Sequence, residues 1–396
     1  MTPPPVPNPT PGTGPSTGPL AGVRVVELAG IGPGPFAAMV LADLGADVVR
    51  VDRPGGAGLA IDPAYDLTNR NKRSVLIDLK EDGGAGAVLD LAERADVFIE
   101  GYRPGVAERL GVGPDACLAR NPRLVYGRMT GWGQDGPLAD RAGHDIGYIA
   151  VTGTLGMIGR DGEAPTVPAN LVGDYAGGSL YLVIGVLAAL QHARAEGGRG
   201  QVVDAAVVDG AAHLATMIHG MMAAGGWQDR RGTNLLDGGC PFYGCYETSD
   251  GQYMAVGALE QRFYAEFVRL LELPDSAPAR KEFDRWDELR AAVAARFHQR
   301  TRAEWTEVFE GSDACVAPVL SLREAPAHPH LAARGTFVEH TGIPQPAPAP
   351  RFSATPGSVR RGPALPGADT ESVARDWGLP ARAVAPLSDA PAPPAG

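Results

Sequence analysis

Apolar residues in the first two hundred positions keep two rhythms. Short runs of valine, isoleucine and leucine alternate with longer stretches whose apolar residues recur three and four apart. Residues 23–28 read as a strand, 29–35 as a Gly/Pro-rich turn, 36–44 as a helix and 46–52 as the next strand. The alternation continues with strand 75–79, helix 84–94, strand 96–100, short helix 106–110 and strand 123–129. Strands that alternate with helices predict a parallel sheet with helices on both faces, an α/β class. Residues 179–187 read as a buried helix, 200–206 as a strand or helix entry, and 211–224 as an apolar helix. The spacing of Met217, Met221 and Met222 on that last helix suits core or flexible packing surface.

The rhythm changes at Gly225. Strands 246–248 and 252–256 flank the turn Ser249-Asp250-Gly251, and helices 260–271, 286–298 and 302–309 follow. Thr301 with Glu304 forms a capping box ahead of the last of these. Residues 316–320 read as the return toward the first unit, 341–350 as a proline-rich extended linker and 370–377 as a docking helix. The expected organisation is a Pro-rich disordered tail at 1–18, a large domain at 19–224, a small domain at 225–325, a return to the large domain at 326–379, and a second tail at 380–396. No internal repeat is visible.

A chain of 396 residues suits two or three such units. Its net charge of −11 argues against nucleic acid or an anionic membrane as the main partner. An anionic ligand must then be met by a local basic cluster. Cys117, Cys240, Cys245 and Cys315 are scattered without zinc-site spacing, which predicts reduced thiols, no metal and a cytoplasmic protein. No run reaches the ~18–20 uninterrupted apolar residues of a membrane span; residues 180–190 come nearest. The N-terminal stretch lacks the basic and apolar regions of a signal peptide, and the C-terminus lacks a peroxisomal tripeptide.

Candidate chemistry concentrates between Gly143 and Gly178. His144 lies in Gly143-His144-Asp145, and Asp174 lies in Val172-Gly173-Asp174 just before the apolar helix. Asp174 is thereby expected at a helix N-terminus, where unpaired N–H groups and the positive dipole end gather. An imidazole and a carboxyl group converging there could pass a proton across a small substrate. Upstream, Arg70, Lys72 and Arg73 crowd a strand-entry loop and, with Arg53, form a basic cluster that reads either as a solvated charged loop or as a phosphate site. The turn Ala29-Gly30-Ile31-Gly32-Pro33-Gly34-Pro35 departs from a dinucleotide fingerprint. Its prolines stand where N–H groups should face a pyrophosphate, so a plain βαβ framework is the better reading.

These motifs, together with Gly101-Tyr102-Arg103-Pro104-Gly105, Gly131-Trp132-Gly133-Gln134 and Leu236-Asp237-Gly238-Gly239-Cys240-Pro241-Phe242-Tyr243, resemble those of the alpha-methylacyl-CoA racemases of the family III CoA-transferase superfamily. The similarity runs from about Pro19 to about Trp377. It implies a Rossmann-like large domain with a parallel sheet, a smaller inserted α+β domain, and an interlocked homodimer. The implied activity is interconversion of the 2R and 2S epimers of 2-methylacyl-CoA thioesters through an enolate. His144 and Asp174 carry over as the proton-transfer groups, and Glu260 as the carboxylate that pairs with the histidine of the other subunit. CoA contacts carry over to Arg53, Arg70, Lys72, Arg73 and Arg109. CoA enters as part of the acyl-CoA substrate, and no further cofactor is implied. Backbone N–H groups around Asp174 are the expected donors to the enolate oxygen. Asp174 needs burial to hold a proton near neutrality. The alternative is CoA transfer between carboxylic acids with Asp174 as nucleophile, chemistry with no evident use for His144 and Glu260. Cysteine at 240, where the family more usually has alanine, is a mild departure.

Overall fold

A computed structural model describes residues 18–56 and 61–380 of the chain. The two Pro-rich tails expected from the sequence lie outside these, apart from Gly18 and Pro380. Two compact units are formed: of the described residues, 18–56, 61–152, 169–214 and 329–380 fall in the first, and 153–168 with 215–328 in the second. Residues 153–168 and 215–224, read from the sequence as part of a continuous stretch 19–224, therefore group with the second unit.

The first unit is built on a six-stranded sheet: β1 (Arg24–Leu28), β2 (Asp47–Asp52), β3 (Arg73–Leu76), β4 (Val97–Glu100), β5 (Val125–Thr130) and β6 (Val202–Ala206). All its pairings are parallel, in the order β3-β2-β1-β4-β5-β6. That is the doubly wound Rossmann order, whose sequence of strands reverses between β1 and β4. Buried alternate residues supply both faces, as a sheet covered on two sides requires. Val25, Val48, Val97 and Val125 pack under α1 (Pro33–Asp43) and a long later helix. Val26, Val49, Val75 and Phe98 pack under α2 (Gly84–Ala92) on the opposite face. Two short helices, α3 (Val106–Arg109) and α4 (Pro114–Arg120), follow β4, and the sequence reading had missed α4.

After α5 (Asp145–Val151), the helical segment Leu171–Arg194 begins as a wide, π-type turn over Leu171–Ser179 and tightens into α6 (Leu180–Arg194). This helix is longer than the sequence suggested, and by length and composition it could cross a membrane. Leu182, Val183, Val186, Ala189, Leu190 and Ala193 of α6 are buried, within the core on the sheet's α1 face. The expected helix at 211–224 is two: α7 (Val207–Leu214) in the first unit and α8 (Thr216–Ala223) in the second. None of α8 is buried, so Met217 and Met222 are exposed surface and not core.

The second unit carries an antiparallel sheet of β7 (Tyr243–Glu247), β8 (Tyr253–Gly257) and β9 (Val316–Pro318), covered by α9 (Gln261–Leu271), α10 (Trp286–Phe297) and α11 (Arg302–Phe309). Its core is aromatic, with Phe242, Tyr246, Phe267, Phe297, Trp305 and Phe309 buried together. The capping box forms: Thr301 N–H donates to Glu304 at 2.8 Å, and Glu304 N–H donates to Thr301 Oγ1 at 3.3 Å. Residues 316–318 do not return to the first unit as expected; they complete this sheet beside β8. The first unit resumes with α12 (Pro329–Arg334). The expected linker 341–350 proves partly to be a strand, since β10 (Phe337–His340) pairs with β11 (Ile343–Pro346). Helix α13 (Thr370–Asp376) docks last, burying Val373 beside β3.

Candidate active site

A sheet of this order leaves a crevice beyond the carboxyl ends of β1 and β4, where successive connections diverge to opposite faces. A cavity of about 500 Å³ lies there in the first unit. Its wall takes Gly30–Pro33 from beyond β1, Arg53 from beyond β2, Tyr102 and Arg103 from beyond β4, and Gly131 and Trp132 from beyond β5. His144 and Asp174 both face this cavity.

His144 is the residue before α5, in extended backbone, and is exposed. Its neighbour Tyr148 lies edge-on to Trp132, ring centroids 4.7 Å apart. Gly131 makes that possible, because a Cβ there would sit 1.9 Å from the tyrosine ring. Asp174 is in the first turn of the π-type segment. Its N–H donates to Asp145 Oδ2 at 2.6 Å, and its Oδ2 accepts from the Asn170 amide at 3.3 Å. The Ser179 hydroxyl, 2.9 Å from Asp174 O and 2.7 Å from Pro33 O, ties the same turn to α1. Wide π turns of this kind recur at functional sites.

Burial lifts the Asp174 carboxyl above the ordinary carboxylate value. The Asn170 amide and His144 pull against that rise, and the Asp145 carboxylate adds to it. Burial and the Asp174 charge likewise raise Tyr148, with Arg103 opposing. An imidazole and a carboxyl group of raised proton affinity thus share one cavity, an arrangement suited to moving a proton on and off a bound carbon. The Asp174 N–H, expected among the donors to an enolate oxygen, is already given to Asp145. The heads of α5, beside His144, and of α1, at Pro33, are the other helix starts at this wall.

The basic cluster read from the sequence divides. Arg70 is buried; it donates to both carboxylate oxygens of Asp43, at 3.1 and 2.5 Å, and to Gln345 and Pro346 O. Lys72 is fully buried, 2.7 Å from Glu27 Oε2, and donates to Pro35 O at 2.9 Å. Arg73 pairs with Asp47 and Asp376. These three are structural, and the expectation that they hold phosphate is corrected: a ligand would have to break buried ion pairs to reach two of them. Arg53 alone of that cluster lines the cavity, its side chain bonded to Gly56 O at 2.8 Å. Arg109 is exposed on α3 and is not part of the cavity wall. Arg103 and Arg141, passed over in the sequence because neither stands in a charge run, do line it.

Residues 20–370 match the family described as CoA-transferase family III. The chain belongs to that family. It is 44% identical to the alpha-methylacyl-CoA racemase of Mus musculus over 91% of this chain and 93% of that one. The Homo sapiens alpha-methylacyl-CoA racemase is also 44% identical, over 91% and 94%. Among solved structures, a CAIB/BAIF family protein from Brucella suis superposes with a TM-score of 0.79 at 26% identity, covering 91% of this chain and 99% of that one.

Within the family frame, Glu260 stands at the head of α9 in the second unit, in extended backbone and exposed. Its carboxylate bears on the thiol of Cys315, which burial and then Glu260 raise. Asp145, Asn170, Tyr148, Arg103 and Arg141 are the site residues that sequence reasoning missed. Two of them carried a signal: Asp145 as the acid directly after the histidine, and Arg103 through the motif Gly101-Tyr102-Arg103-Pro104-Gly105.

Proposed function

We propose that this chain interconverts the 2R and 2S epimers of 2-methylacyl-CoA thioesters by 1,1-proton transfer. The base removes the C2 proton, and the C–H electron pair moves into the C1–C2 bond as the thioester C=O becomes an enolate. The acid then delivers a different proton to the opposite face, the enolate collapses, and the two groups leave the cycle with protonation states exchanged. His144 is the base when Asp174 is the acid, and the roles swap for the other epimer. The observation that carries this reading is the pairing of His144 with a carboxyl group of raised proton affinity in one cavity. The names borne by the 44%-identical relatives support it.

Arg53, Arg103 and Arg141 would meet the anionic CoA moiety, with Arg109 further out, and remote binding of that moiety would fix C2 between the two groups. N–H donors at the head of α5 would face the enolate oxygen. The functional form would be a homodimer in which Glu260 of the partner subunit orients the His144 imidazole. Support comes from the exposed apolar residues Ile146, Val151, Leu171, Leu180, Ile184 and Leu214 on the first unit, a surface suited to a second copy.

The test is incubation of the purified protein with a single-epimer 2-methylacyl-CoA in deuterated water. Deuterium at C2 together with epimerisation is the expected result. Movement of CoA onto a free carboxylic acid without exchange would establish a transferase with Asp174 as nucleophile, and binding with neither reaction would establish a CoA-binding protein. Either outcome overturns the proposal.

A further inference from the structure

We infer that Asp145 is the positioning residue for Asp174, fixing the place of that carboxyl group in the cavity it shares with His144 by holding its backbone N–H. This rests on the racemase reading for its catalytic meaning, though not for its geometry. Asp145 is the first residue of α5, where an acid normally faces solvent near the positive dipole end. Here it is 7% exposed and turned onto the Leu171–Ser179 segment. Its Oδ2 accepts the Asp174 N–H at 2.6 Å, while Oδ1 is buried with no hydrogen-bond partner. A simple helix-end acid would be solvated; a buried carboxylate with an unused oxygen costs stability, and needs a compensating role.

The segment is shaped to admit it. A Cβ at Gly173 would lie 2.3 Å from Asp145 Oδ2 and 3.0 Å from the Ile149 side chain. Glycine at 173 therefore lets the Asp174 backbone come down onto the carboxylate. His144 and Asp145 are adjacent, so one dipeptide presents the imidazole to the cavity and also tethers Asp174. The gap between the two proton carriers is then set by a single turn and one hydrogen bond, with little slack. Placement at this scale matters, since an error of about 1 Å can cost ~100-fold in rate.

The tether carries charge as well. His144, just before α5, and Asp145 and Tyr148 of α5 are the titratable groups that act with Asp174; the packed faces of α1, α6 and α7 contribute none that does. Of the three, Asp145 raises the proton affinity of Asp174 by like-charge repulsion, so the tether also favours the protonated, acid-competent form.

Three variants and two readouts separate positioning from a merely structural role. Asp145→Asn keeps the shape and an acceptor for the Asp174 N–H but removes the charge. In the folded variant, the 13C carboxyl titration of Asp174, assigned with Asp174→Asn, should move to lower pH than in the unaltered protein. Asp145→Ala should lower kcat for epimerisation by ~10–100-fold with KM changed less than about threefold. Gly173→Ala, which crowds the same contact without removing a charge, should lower kcat in the same way. An Asp174 titration that stays put or rises in Asp145→Asn overturns the assignment, and so does an Asp145→Ala protein with kcat within about twofold of normal. The titration needs no turnover. Absence of C2 exchange in the unaltered protein would therefore sink the racemase reading while the tether is still judged by the Asp174 signal.

Discussion

Two sets of cations in the first unit make the most instructive contrast. Arg70, Lys72 and Arg73 stand almost together in sequence, yet each is tied to a carboxylate of the same unit, and Lys72 is completely enclosed. Arg53, Arg103 and Arg141 are dispersed in sequence but meet on one cavity wall, with no ion pair among the described residues. The crowded set holds the scaffold: Lys72 grips Pro35 O in the first turn of α1, and Arg70 joins the end of α1 to β11. The dispersed set is available to a ligand. Density of charge in a sequence is thus a poor guide to binding, because a buried cation needs a partner and an exposed one does not.

The contrast is sharpest at Lys72. Lys72→Met leaves Glu27 buried without its counter-charge and should cost about 3–5 kcal/mol in denaturant unfolding, with KM for acyl-CoA unchanged in whatever folds. A raised KM at normal stability would reverse its assignment. Arg53→Ala and Arg103→Ala should do the opposite. A charged hydrogen bond worth ~1.5–3 kcal/mol makes KM rise roughly 10–100-fold, while unfolding shifts by no more than about 0.5 kcal/mol. The least effect is expected from Arg109→Ala, off the cavity wall, with KM raised by less than about threefold. If Arg109→Ala raised KM more than Arg53→Ala did, the cavity wall would not be where the CoA moiety sits.

Most of the sheet was legible because its signal is local. Short valine-rich runs between Gly/Pro turns favour buried strands, and the first five are where periodicity put them to within a few residues, while the sixth, 202–206, had been left open between strand and helix entry. His144 and Asp174, singled out through their glycine settings, do share one cavity. Other features depend on contacts that no local pattern encodes. The bond from Asp145 to the Asp174 N–H spans 29 positions, and the burial of Lys72 depends on Glu27, far earlier in the chain. The wide turn at Leu171–Ser179 also escaped detection, since its i−5 bonding (Tyr175 N–H to Asn170 O, 3.4 Å) leaves the apolar spacing of a helix almost unaltered. Residues 316–318 were misassigned because a three-residue strand carries too little pattern to choose its sheet.

The central claim is that two different groups serve the two faces of C2, and it can be tested one face at a time. Each epimer of a 2-methylacyl-CoA is incubated in deuterated water with His144→Ala and, separately, with Asp174→Asn, and deuterium at C2 of the recovered starting epimer is measured. Both variants should lose epimerisation, and each should retain C2 exchange with one epimer only, a different one for each variant. Exchange that survives on the same epimer in both variants, or on both epimers in either, would contradict the account.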